Sequence, residues 1–244
     1  MRRYHFVILD AVMTTTLYVI LTSCFSGTGD YESLEQYAVT EVRGWRVRVN
    51  HRLIEQKPQL HADTLQRLDV KLHEIQQVLP KSALDRIAHV PLWVELDNDH
   101  IYPCICYHVS AMWLEANGFH PEKEGSIEIC NAEAFLQWSV GQPWIVLHEL
   151  AHAYHHQHLG HDEKRLLAAY QKAVVSTKYA SVLRYNGSRE RHYGLKSVRE
   201  YFAEATEAYF GVNDYFPFDR AELRRHDPKM YRRLQDVWGE PNRN

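Results

Sequence analysis

Two histidines and a glutamate stand close together in Val146-Leu147-His148-Glu149-Leu150-Ala151-His152-Ala153. Their types and spacing suit one divalent metal ion. On a helix of 3.6 residues per turn, positions four apart project within about 40° of each other, so His148 and His152 would share a face and an ion. Two neutral imidazoles, a third ligand and an open position for water make a zinc site. Glu149 would lie beside that face, where it could take a proton from the water and later hand it to a leaving amine. The flanking Trp144, Ile145, Val146, Leu147, Leu150 and Ala151 would bury the helix. A buried helix carrying two histidines and a glutamate needs a reason for them.

The third ligand has three candidates. His148-x3-His152-x5-His158 has the spacing of the pattern HExxHxxGxxH, but His155 occupies the place of the glycine that turns the chain back toward the metal. On a continuing helix, His158 would sit about three turns from His148 and out of reach. The other two candidates are Glu200 and Glu204, in Tyr193-Gly-Leu-Lys-Ser-Val-Arg-Glu200-Tyr-Phe-Ala-Glu204. They fall one turn apart on one helix face, which Glu207 shares. One carboxylate could bind zinc while another accepts a hydrogen bond from a ligand imidazole and fixes its tautomer.

Together, His148-Glu-Leu-Ala-His152 and Tyr193-x6-Glu200-Tyr-Phe-Ala-Glu204 resemble the gluzincin metallopeptidases related to the anthrax lethal factor catalytic domain and the Pro-Pro endopeptidases. The resemblance spans residues 143–210. It implies that His148, His152 and Glu200 bind Zn2+, that Glu149 is the general base, that Tyr193 stabilises the oxyanion, and that Glu204 supports the ligands from behind. Lys196-Ser197 departs from the Thr-Asn expected in lethal factor. Segments from Cys106-Tyr107-His108 through Ile127-Glu128-Ile129 to Tyr215-Phe216-Pro217-Phe218 are also similar to a group of exported proteins, which implies a shared fold but supplies no substrate. The activity implied is a zinc-dependent endopeptidase acting on a peptide or protein. By fold analogy, the strand Ser126 to Cys130 would hold an extended substrate by strand addition. The alternative is an exported metal-binding or interaction protein that keeps the scaffold without catalysis, with His155, His156, His158 and His161 as extra ligands.

The elements that must position these groups follow from periodicity. Trp45, Val47 and Val49 alternate with polar residues as in a half-buried strand. Leu65, Leu68, Leu72, Ile75 and Leu79 mark an amphipathic helix that stops at Pro80. Leu92 to Leu96 and Ile127 to Cys130 read as strands, and Ser110 to Asn117 as a helix ending at Gly118. From Asn131 the pattern is predominantly helical: Pro143 to His158 closed by Gly160, a stretch through Leu166 and Val174, Ser197 to Phe210 closed by Gly211, and two short helices split at Asp227-Pro228. Ala180 to Tyr185 reads as a strand before the turn Asn186-Gly187.

The expected architecture is therefore α+β: a zincin-like domain with a small N-terminal sheet and a mainly helical C-terminal half. A chain of 244 residues, 45% hydrophobic, suffices for one such core. The 28 basic and 31 acidic residues give a net charge of −3, which offers nothing to nucleic acid. Residues 1–23 read as a leader, with Arg2-Arg3 before an apolar stretch, and Leu21-Thr22-Ser23-Cys24 resembles a lipobox. The expected organisation is an exported chain lipidated at Cys24, a tether over 24–40 and one domain over 41–244, with the lipid as its only membrane contact. Export also permits a disulfide from Cys104 or Cys106 to Cys130.

Overall fold

A computed structural model describes residues 31–160 and 163–242. The leader and Cys24 lie outside them. Strands β1 (Tyr37–Val42) and β2 (Trp45–Asn50) form a hairpin. Its turn is Arg43-Gly44, both at positive φ, the backbone twist that a two-residue hairpin requires. Helices α1 (His51–Gln56), α2 (Pro58–Val78) and α3 (Lys81–Ile87) follow, with the Asn50 side chain accepting from the Arg52 amide to cap α1. Then come β3 (Leu92–Val94), β4 (Ile105–Tyr107), α4 (Ala111–Ala116), β5 (Ile127–Ile129), α5 (Ala132–Gly141) and α6 (Ile145–Tyr154). Past α6 the backbone widens into a π-turn, His155–Leu159. The C-terminal half adds α7 (Lys164–Val175), the short hairpin β6 (Val182–Leu183) and β7 (Arg189–Glu190), then α8 (Val198–Phe210), α9 (Arg220–His226) and α10 (Pro228–Trp238). The fold is α+β, with a small N-terminal sheet and a helical C-terminal half.

The five-stranded sheet runs β1-β2-β3-β5-β4. The β2-β3 and β3-β5 pairs are parallel, whereas β1 and β4 lie antiparallel at the edges. Alternation gives the sheet two different faces. Val47, Val49, Leu92, Val94, Ile127 and Ile129 join the main core with α2, α6 and α8. Trp93, Cys106, His108 and Glu128 are also buried but belong to the opposite face.

Three sequence expectations change. The folded body begins before residue 41, because β1 starts at Tyr37 and the Tyr37 hydroxyl donates to the buried Glu95 at 2.8 Å. β5 is an interior strand, so the segment Ser126 to Cys130 has no free edge to offer a peptide; the edge on its side of the sheet belongs to β4. Cys104, Cys106 and Cys130 are buried free thiols. The closest pair, Cys106 and Cys130, has sulfurs 3.6 Å apart, well beyond a bond of about 2.05 Å. Among the described residues, no helix is long and apolar enough to cross a membrane.

The helix α8 is the centre of the C-terminal half, and every residue from Tyr201 to Phe210 is buried. Its polar tips are tied to the last two helices: Tyr201 donates to Asp227 at 2.5 Å, and Thr206 accepts from the Trp238 indole at 3.1 Å. Phe202 stacks on Trp238, with ring centres 5.8 Å apart. At its C-terminal end Gly211 lies against Trp144, the residue that opens α6, and a Cβ there would come within 1.9 Å of the indole. Gly211→Ala should therefore wedge α6 and α8 apart and lower stability by about 1–3 kcal/mol. Urea unfolding would reveal this as a lower midpoint with little change in slope, whereas an unchanged midpoint would show that Trp144 moves aside freely.

Candidate metal centre

Helix α6 presents His148, Glu149 and His152, and α8 presents Glu200, Glu204 and Glu207. The apolar remainder of both helices packs them together, with Tyr154 against Phe202 in one shared core. The Ser197 side chain starts α8 by accepting from the Glu200 amide at 3.2 Å, so the N-terminal turn that carries Glu200 is fixed at the junction.

His148 Nε2 lies 3.1 Å from Glu200 Oε2, and His152 Nε2 lies 3.4 Å from the same oxygen. Two ligand atoms at about 2.0–2.1 Å from a tetrahedral ion stand about 3.3 Å apart. The three side chains therefore already have the spacing of ligands around a zinc-sized ion, and all three ligand atoms lie within 4.8 Å of one another. The donor set, two imidazoles and a carboxylate, suits zinc.

A second layer orients the first. His148 Nδ1 donates to Glu207 Oε1 at 2.6 Å, leaving the Nε2 lone pair directed at the site. Glu204 stands farther off, 3.9 Å from His148 Nδ1, and accepts from Asn213 at 3.1 Å. The role expected of Glu204 thus falls to Glu207. Its position one further turn along the same face was visible in the sequence, but α8 enters at an angle that only the packed structure defines.

Electrostatics sort the carboxyls. Burial opposes ionisation of Glu200, but His152 and His148 outweigh it and hold this carboxyl well below the usual carboxylate range. Burial, followed by the nearby Glu207 and Asp214, pushes Glu204 well above that range. Glu149 is also raised by burial, and the two histidines and a hydrogen bond from the Tyr107 backbone oppose this only in part.

The Tyr107 contact ties edge strand β4 to the site. His108 N–H bonds to Ser126 and Cys130 N–H bonds to the Cys104 carbonyl, so the alternate residues Ile105 and Tyr107 turn their backbone groups to the open edge. The Tyr107 hydroxyl is held by His156 Nδ1 at 3.0 Å and by Gln157 at 3.1 Å. Sequence reading missed this strand because three residues between turns carry too short a pattern.

Tyr193 sits in a 3-10 turn just ahead of α8, with its ring centre 6.5 Å from that of His148 and the Lys196 ammonium 4.0 Å above its own ring. Burial, then Glu200 and Glu149, push its hydroxyl far above the ordinary tyrosine range, so it remains a proton donor. His158 is elsewhere. It faces the Arg86 carbonyl at 3.0 Å and the Tyr154 ring, while His155 packs on Phe202. The histidines of the π-turn thus diverge, and His161 lies outside the described residues. Comparison with protein-family models, with curated proteins and with solved structures gives no match.

The geometry separates two glutamates that share one helix face. Glu207→Gln should weaken Zn2+ binding by about 10–100-fold, because it removes the carboxyl group hydrogen-bonded to a ligand imidazole. Glu204→Gln should have a much smaller effect, since Glu204 is farther from His148. Competition with a chromophoric chelator measures both. Equal losses would reject the assignment.

Proposed function

We propose that this protein is a zinc-dependent endopeptidase of the zincin type. One observation carries the reading: His148, His152 and Glu200 converge at ligand spacing from two packed helices, with Glu149 beside them. A zinc ion held by these three residues would supply Lewis acidity, making an adjacent water more acidic and polarising a carbonyl.

The other steps belong to the chain. Glu149, next to His148 on α6 and raised by burial, accepts a proton from water and passes it to the amine that leaves. The Tyr107 amide holds Glu149 in place. Tyr193, kept protonated among carboxylates, is suited to donate a hydrogen bond where negative charge develops on the peptide oxygen. The outward backbone groups of Ile105 and the Tyr107 carbonyl on β4 are the natural place for an extended peptide to add as a further strand. Strand addition at this edge brings the peptide to Glu149 because Tyr107 already touches it. Export, with lipid attached at Cys24, belongs to the same proposal and rests on the leader's sequence alone.

Digestion of a broad peptide library, with and without chelator, tests the activity. Chelator-sensitive cleavage is expected, and no cleavage by the zinc-loaded chain would reject the reading. Glu149→Gln should retain Zn2+ but lose hydrolysis, because the amide keeps the shape without accepting the proton. Turnover equal to that of the unaltered chain would remove Glu149 from its role. Tyr193→Phe should lower kcat by about 10²–10³ with metal content intact, the loss characteristic of one oxyanion donor. Loss of zinc along with activity would make Tyr193 structural instead.

A further inference from the structure

The sheet face turned away from α6 carries another group of ligating side chains. Cys106 on β4 lies directly opposite Glu128 on β5, and His108 and Cys130 follow two residues along their respective strands. A period of two brings all four to one face. Cys106 Sγ is 3.5 Å from His108 Nε2, His108 Nε2 is 2.6 Å from Glu128 Oε2, and Cys130 Sγ is 3.6 Å from Cys106 Sγ. All four residues are buried. The ligand atoms of Cys106, His108 and Glu128 lie within 4.8 Å of one another.

We propose that Cys106, His108 and Glu128 form a second metal site for a thiophilic divalent cation such as Zn2+, with Cys130 beside the Cys106 sulfur. Spacing favours the assignment: around a tetrahedral zinc ion a thiolate and an imidazole stand about 3.5 Å apart, as Cys106 Sγ and His108 Nε2 do here. The 2.6 Å hydrogen bond between His108 and Glu128 would open to about 3.3 Å as the ion replaces its proton.

Metal binding would displace the Cys106 thiol proton and the proton held between His108 and Glu128, and Lys123 already pairs with Glu95 and Glu128 at 2.7 and 2.5 Å.

Outer contacts orient the carboxylate. Lys123 at 2.5 Å and Asn98 at 2.7 Å hold Glu128 Oε1, which leaves Oε2 turned toward His108. Metal sites are oriented by such outer contacts. An ion here would fasten edge strand β4 to β5 from the face opposite Glu149. It would be a structural ion, separate from the centre on α6 and independent of whether that centre is catalytic.

Co2+ titration of the chelator-stripped full chain tests the site, because thiolate ligation adds an intense near-ultraviolet charge-transfer band that histidine and carboxylate ligands do not. The His148→Ala/His152→Ala chain should still bind about one equivalent and show that band. Cys106→Ala/Cys130→Ala should bind about one equivalent without it. His108→Gln provides a second test should the double cysteine variant fail to fold, and it should weaken or abolish the band. A His148→Ala/His152→Ala chain without thiolate absorption would overturn the proposal, as would an undiminished band in Cys106→Ala/Cys130→Ala. A Cys106–Cys130 disulfide in the non-reduced peptide map would do the same, by assigning the pair to covalent cross-linking.

Discussion

Everything at the candidate centre depends on the packing of α6 against α8. A carboxylate placed in a protein interior is costly unless it is paired, and α8 buries Glu204 and Glu207 and half-buries Glu200 along one face. The histidines of α6 answer two of them directly, Glu200 through Nε2 and Glu207 through Nδ1 of the same His148 ring. Removing either helix would leave the other with unpaired polar groups in an apolar layer. This mutual requirement makes the site a property of the helix pair rather than of a loop.

Other elements act by restraining that pair. α9 and α10 hold the tips of Tyr201, Thr206 and Tyr209, so α8 cannot rotate about its axis without breaking hydrogen bonds at several points. On the opposite side, the π-turn after α6 changes the direction of its histidines. His156 meets Tyr107 and His158 meets the Arg86 carbonyl, which anchors β4 and α3 to the end of α6. The widened turn therefore uses its histidines for scaffolding, while the regular helix before it carries the candidate ligands.

The sheet joins two chemically distinct halves of the molecule. Its apolar face continues the core beneath α6, and its other face encloses Glu95, Lys123, Glu128 and His108 in one hydrogen-bonded group. β4 belongs to both, because Cys106 and His108 look into the polar group while the Tyr107 backbone reaches Glu149. A change in the polar layer is thus one residue away from the candidate centre.

The sequence by itself determined the helices that carry the site. The four-residue repeat in His148-Glu149-Leu150-Ala151-His152, Ser197 ahead of Glu200, and Gly160 and Gly211 at the ends are local signals, because helical geometry depends on residues three or four apart. It also determined the strand around Trp45 and the break at Asp227-Pro228 by the same local logic. Tertiary structure decided which glutamate meets His148, since the choice between Glu204 and Glu207 rests on the angle at which α8 crosses α6. It decided that β4, rather than β5, forms the open edge, because strand order arises from contacts remote in sequence and three-residue strands carry little pattern of their own. It also decided that Cys106 and Cys130 stand together as thiols on the far face of the sheet, since the register of β4 against β5 aligns them with His108 and Glu128. Spacing along one helix is written in consecutive residues, whereas the meeting of two elements depends on everything packed between them.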